Sequence, residues 1–213
     1  MKKMLFVICT LMFSTFLHAQ ETQTAEETRP TAKFGIKGGL NLTNLYVDDV
    51  DDENMKPGVN VGFYAKVPVS KIFSVQPEVL YSMKGAQLNY NNILGSGKYR
   101  FNLDYLEVPI GAVVNVAKNF NISVGPYVAF LLSAKVQDVD KNGNITGATE
   151  LNKDNFESVD YGAFGGVAFD MGNITLGGRY TYGLKEIGKS GLSGNLTNNS
   201  KNSAISFYLG FGF

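Results

Sequence analysis

The side chains that most often carry catalysis are nearly missing from this chain. The only histidine is His18 and the only cysteine is Cys9. Both lie in a leading segment, Met1 to Ala19, in which Lys2 and Lys3 precede an apolar run from Met4 to Leu17. That order of charge, apolar run and small residue reads as a secretory signal peptide, and the run is too short for a membrane-spanning helix, which needs about 20 residues. A chain cleaved after Ala19 holds no disulfide, no thiolate nucleophile, no Cys/His zinc site and no histidine base, so it is not expected to be an enzyme. One run keeps the spacing of a cation loop: Asp138-Val139-Asp140-Lys141-Asn142-Gly143-Asn144-Ile145. Asp138, Asp140 and Asn142 stand where calcium ligands 1, 3 and 5 would stand, with Gly143 at the sharp turn. Position 12 then carries Thr149 instead of the bidentate glutamate, and Glu150 comes one residue late. The same stretch also reads as a hairpin whose tip is Asn142-Gly143, a favoured turn pair. Calcium is the one cation this pattern suggests, and no other cofactor is expected. A second acidic run, Asp48, Asp49, Asp51, Asp52 and Glu53, reads as a solvated loop or as a site for divalent ions that bridge lipopolysaccharide.

Composition narrows the class. Of 213 residues 44% are hydrophobic, 12% aromatic and 18% charged, with 24 glycines, 6 prolines and no tryptophan. Ordinary domains carry about 25% charged residues. Lys+Arg and Asp+Glu both number 19. Loss of Lys2 and Lys3 lowers the bases to 17 against 19 acids, a net charge of −2. Nothing in that balance supports a nucleic-acid partner.

The elements follow from period-two alternation. Residues 20–31, QETQTAEETRPT, read as a flexible periplasmic leader, and alternation begins at Ala32. Eight strands are expected, with these outward-alternating sets: Phe34 to Leu42, Val59 to Val69, Phe73 to Met83, Leu106 to Val116, Ile122 to Leu132, Val159 to Phe169, Ile174 to Tyr182 and Ile205 to Phe213. Turns at 70–72, 117–119 and 170–173 are short, whereas connections at about 43–57, 86–99, 136–158 and 185–203 are long and polar. Short turns on one side, long loops on the other and an even strand count describe an outer-membrane barrel. The predicted fold class is therefore all-β, an eight-stranded antiparallel up-and-down transmembrane β-barrel over residues 32–213. It has short periplasmic turns and long extracellular loops.

A soluble lipocalin-like ligand-binding barrel shows the same alternation turned the other way out. Its polar face would be dense in Lys and Glu. Here that face is mostly small: Asn60, Gly62, Ser74, Gln76, Gly111, Ser123, Gly125, Gly166 and Gly177 among others. Small residues suit a crowded lumen. The charges on it, Lys37, Lys66, Glu78, Lys84, Glu107 and Arg179, carry both signs, and Glu78 and Glu107 are expected to pair with some of Lys37, Lys66 and Arg179. On the other face, pairs such as Phe73/Tyr81 and Ile122/Phe130 lie eight residues apart, about 26 Å along a strand and about 20 Å after a tilt near 40°. Phe73, Phe120, Phe169 and Phe213 then form one aromatic girdle, and Tyr81, Phe130, Tyr161 and Tyr182 the other.

The chain ends on the amphipathic run Ser203 to Phe213. Phe211 and Phe213 resemble the terminal signal read by the barrel assembly machinery, with Tyr208 standing where such signals often carry glycine. Phe34-Gly35-Ile36-Lys37-Gly38-Gly39-Leu40-Asn41, Gln76-Pro77-Glu78-Val79-Leu80-Tyr81-Ser82-Met83-Lys84-Gly85, Tyr105-Leu106-Glu107-Val108-Pro109 and Gly125-Pro126-Tyr127 resemble the outer-membrane β-barrel domain proteins of Bacteroidetes, the PorT family. The resemblance spans residues 32–213. It implies an eight-stranded barrel similar in architecture to OmpX and the OmpA barrel, and a weak link to type IX secretion. The expected partners are outer-membrane lipid and lipopolysaccharide, the assembly machinery, and an unidentified surface or secretion component. The expected role is a structural anchor or surface interaction protein with a filled lumen, and the alternative to it is a narrow channel for small solutes.

Overall fold

The computed structural model describes residues 31–46, 55–92, 95–140, 144–151, 155–188 and 200–213. The expected signal peptide (1–19), almost all of the leader (20–31), the acidic run Asp48 to Glu53 and Asn142 lie outside these described residues.

Nine strands form one antiparallel sheet: β1 (Lys33–Tyr46), β2 (Lys56–Pro68), β3 (Phe73–Asn92), β4 (Gly95–Asn115), β5 (Phe120–Asp140), β6 (Ile145–Glu150), β7 (Val159–Met171), β8 (Ile174–Glu186) and β9 (Lys201–Gly212). Eight of them close a barrel. Each pairs with its neighbour around the ring, β5 pairs with β7 where the wall passes over β6, and β1 closes on β9. Closure satisfies every wall strand's hydrogen bonds internally, which a lipid environment demands. Among the described residues no helix is long and apolar enough to cross a membrane.

The outward face is apolar throughout. Phe63 is 66% exposed and Leu209 58%. Val61, Ile110, Val124, Val167, Leu176 and Phe207 are exposed on other staves. A soluble barrel would not leave so large an apolar surface in water, so the lipocalin-like alternative is set aside. Phe120 sits directly opposite Phe169, and Phe213 is exposed beyond them at the short-turn end.

The short turns are as tight as the sequence predicts. In the first, the Ser70 hydroxyl accepts the backbone N–H of Ile72 and Phe73. The third is Gly172-Asn173, where Gly172 adopts φ +65°, a conformation that costs other residues a Cβ clash.

At the opposite end the structure departs from expectation. The connection placed at 86–99 is mostly strand: β3 and β4 stay in register from Phe73↔Val114 up to Asn92↔Gly95. The connection placed at 136–158 contains the end of β5 and all of β6, which pairs with it from Lys135↔Glu150 to Val139↔Ile145. Polar composition marked both stretches as loops, yet paired strands in water need no apolar face. Gly85, at φ +124°, lies where β3 leaves the barrel wall, and a Cβ there would strike the Phe101 carbonyl oxygen. Opposite it, the register between β4 and β5 shifts between Asp104 and Tyr105, which leaves Leu132 as the extra residue of a bulge. Beyond that bulge the inward and outward sets of β5 exchange, so that Ala134 is buried.

Candidate functional site

The lumen is built from alternate residues of every wall strand, and its largest side chains are aromatic. Tyr208 of β9 faces Gly177 on one neighbour and Gly39 on the other, Tyr127 faces Gly162, Phe164 faces Gly125, and Tyr64 faces Gly35. The Tyr208, Tyr127 and Tyr64 rings take the space that Gly177, Gly162 and Gly35 leave, and the Phe164 ring lies against Gly111. A Cβ on Gly177 would fall on the Tyr208 ring. Gly177→Val is therefore expected to destabilise the barrel by about 1–3 kcal/mol, the usual cost of overpacking. Urea midpoints in detergent for Gly177→Val, Tyr208→Ala and the double variant check this, since the double should lose less than the two singles combined.

Against these rings lie two charge clusters. In the first, Glu78 is the hub and only 2% exposed. Arg179 donates from Nη1 to Oε2 at 2.9 Å and from Nη2 to Oε1 at 2.7 Å, a two-point pairing. Lys37 Nζ lies 3.1 Å from both oxygens, and Gln76 Nε2 donates to Oε1 at 2.8 Å. The cations also meet aromatic faces: Lys37 Nζ is 3.7 Å from the Tyr208 ring centre, and the Arg179 guanidinium is 4.0 Å from that of Phe164. In the second cluster Lys84 Nζ lies 2.6 Å from Glu107 and 3.7 Å from Asp160, above the Tyr127 ring at 4.3 Å. Asp160 also accepts from the Tyr127 hydroxyl and from Asn202 Nδ2, each at 3.0 Å. The first cluster has one surplus positive charge and the second one surplus negative, so together they balance.

The expected lumen residues thus fall into three places. Lys37, Glu78 and Arg179 come together. Glu107 does not join them, because its position opposite Leu80 sets it nearer Lys84. Lys66 is also apart, at the short-turn end, where it pairs with Asp170 at 3.0 Å. Asp160, Asp170 and the four rings escaped the sequence reading. Their signal was present as bulky residues on the Gly-rich face, each across from a glycine, but only register reveals which glycine.

The two clusters leave between them a void of about 10 Å³, about the volume one water needs. Above the second cluster Leu103, Tyr105, Ala129, Ala134, Phe156 and Ile187 form an apolar plug. Below the first, the lumen opens at the short-turn end into a cavity of about 1120 Å³.

The calcium-like run lies on the extended hairpin. Asp138 pairs across to Gly147. Asp140 Oδ1 accepts the Asn144 backbone N–H at 2.8 Å and its Oδ2 accepts Asn144 Nδ2 at 3.1 Å, so this carboxylate caps the hairpin turn. Among the described residues no group of three acidic, His or Cys side chains is placed to hold a metal. At the end of β9, Phe211 stands opposite Ile36 and Ile174, and the Phe213 backbone N–H donates to the Phe34 carbonyl.

A closed eight-stranded wall, apolar outside and packed with paired charges and rings inside, defines a transmembrane β-barrel of the outer-membrane type. The chain belongs to the family described as "Outer membrane protein beta-barrel domain", which matches residues 19–188. It is an outer-membrane protein. No curated protein matches its sequence. Among solved structures it is similar to Neisserial surface protein A, at 12% identity and a TM-score of 0.50, covering 86% of this chain and 100% of that one. It is also similar to Ail, the attachment invasion locus protein of Yersinia pestis, at 14% identity and a TM-score of 0.49, with the same coverages.

Proposed function

We propose that this barrel is a non-enzymatic membrane anchor, reaching the outer membrane through a cleaved signal peptide, that presents its extracellular strands to a surface or secretion partner. The observation that carries the reading is the contrast between the two halves of the molecule. The wall is filled by the Glu78 and Lys84 clusters and capped by the apolar plug, whereas β3, β4, β5 and β6 run on past it as a sheet. β6 stands last in the strand order and is exposed along its whole length, and an edge to which no strand pairs among the described residues can accept another. Resemblance to the PorT family supports a secretion component as the partner, and the interior of eight strands, just wide enough for side chains, weighs against transport.

Planar-bilayer recording of the refolded chain tests the anchor against the channel. No stepwise conductance is expected from the intact barrel, and reproducible ohmic steps would turn the reading into that of a narrow channel. Crosslinking from residues 144–150 on whole cells then identifies the partner.

A further inference from the structure

The cavity at the short-turn end has no role in anchoring, and its charge is lopsided. Lys33, Lys66, Lys71 and Lys118 line it together with a single side-chain carboxylate, Asp170, and with the terminal residue Phe213, whose α-carboxylate lies at the rim. Asp170 is fully engaged by its neighbours: Lys66 Nζ and Asn121 Nδ2 each bond Oδ2 at 3.0 Å, and the Thr175 hydroxyl bonds Oδ1 at 2.7 Å. It therefore cancels Lys66 and nothing more. Lys37, in the roof, is held by Glu78. Lys33, Lys71 and Lys118 have no ion pair among the described residues. Three exposed lysine ammonium groups thus ring the mouth of the cavity, and with the Phe213 α-carboxylate set against them the excess is still positive, in a chain whose overall charge is near zero. Low-dielectric walls concentrate such a field and raise the local concentration of anions. The volume, about 1120 Å³, matches or slightly exceeds that of small-molecule sites.

We infer that this periplasm-facing vestibule is an oxyanion-binding site, taking small ligands that bear two or more phosphate or carboxylate groups. The same chemistry is available from three sources: a free periplasmic solute, a lipid headgroup at the membrane rim, or Glu21, Glu26 and Glu27 of this chain's own leader. The inference needs the barrel but not the anchor reading, so a conducting barrel leaves it standing.

The experiment is calorimetric titration of the refolded chain beginning at Gln20, in zwitterionic detergent, with inorganic pyrophosphate as the probe. Saturable binding is expected. It should weaken about tenfold in Lys71→Gln/Lys118→Gln, as two exposed charge pairs are lost, and weaken further with added salt. Asp170→Asn should act in the opposite direction and tighten binding, so a lysine variant that fails to fold does not end the test. Heat-dependent gel mobility shows that each variant is a closed barrel. Binding in detergent by the full mature chain assigns a soluble ligand. Binding seen only in a chain that starts at Thr31 assigns the leader, and displacement of the probe by phosphatidylglycerol bilayers assigns the headgroup. Absence of saturable binding in every arm, or affinity indifferent to both the lysine and the Asp170 substitutions, overturns the inference.

Discussion

Replacing Glu78 with alanine is expected to cost this barrel about 3–5 kcal/mol, because two buried cations lose the carboxylate on which both converge. Arg179 and Lys37 both converge on Glu78, and their side chains are 5% and 3% exposed. The void beside them holds about one water, too little to replace a carboxylate for both, and the Tyr208 and Phe164 rings offer only part of what it gives. Glu107 belongs to the other cluster, 2.6 Å from Lys84, so it is not available as a substitute. Glu78→Gln should be nearly as costly, since it keeps shape and some hydrogen bonding but removes the charge. The triple variant Lys37→Met/Glu78→Leu/Arg179→Met is expected to recover most of the loss, since apolar groups of similar volume often replace a buried ionic cluster without penalty. The measurement is the urea midpoint, read from the folded band on unboiled gels. A loss below about 1 kcal/mol for Glu78→Ala would place the cluster in contact with water, where ion pairs are worth that little.

Leu209→Arg tests the other face. Leu209 lies halfway along the outward run from Ile205 to Phe213, between Gly38 of β1 and Leu176 of β8, and is 58% exposed. In a bilayer this places the new charge near the midplane, where arginine costs about 2–4 kcal/mol. Phe213→Arg, at the short-turn rim, should cost about 0–1 kcal/mol because the penalty falls toward the interface. Equilibrium unfolding in lipid vesicles compares the two. Equal costs at the two sites would mean that the apolar belt is not centred where the strands place it.

Much of the wall was legible from sequence. Alternation is a local property, so Phe34 to Leu42 or Ile174 to Tyr182 declare their outward face without knowledge of any partner strand. The three tight turns were legible too, because Ser70 and Gly172 act within a few residues of themselves. Small residues on the inward face likewise pointed to a packed lumen and away from an exposed polar surface. The half away from the short turns was read less well. In 86–99 the alternation of Ala86, Leu88 and Tyr90 stops at Asn91-Asn92, and in 136–150 the apolar residues Val136, Val139 and Ile145 keep no spacing of two, so neither stretch sustains a period long enough to read as a strand. The bulge at Leu132 added a second difficulty, since one extra residue exchanges the inward and outward sets of β5 just beyond it.

Sequence alone determined that the chain is a barrel of eight wall strands with its apolar face outward, and that its lumen holds charges of both signs with neither histidine nor cysteine among them. Tertiary structure decided which of those charges meet. Glu78 chose Arg179, 101 residues away, and Glu107 went to Lys84, because strand register sets the height of each side chain in the lumen. Register is a relation between strands, fixed only when the ring closes and each ring side chain finds the glycine that makes room for it. The same closure gathered Lys33, Lys66, Lys71 and Lys118 around one cavity. In the sequence they lie on separate strands and turns, and nothing local marks them as neighbours.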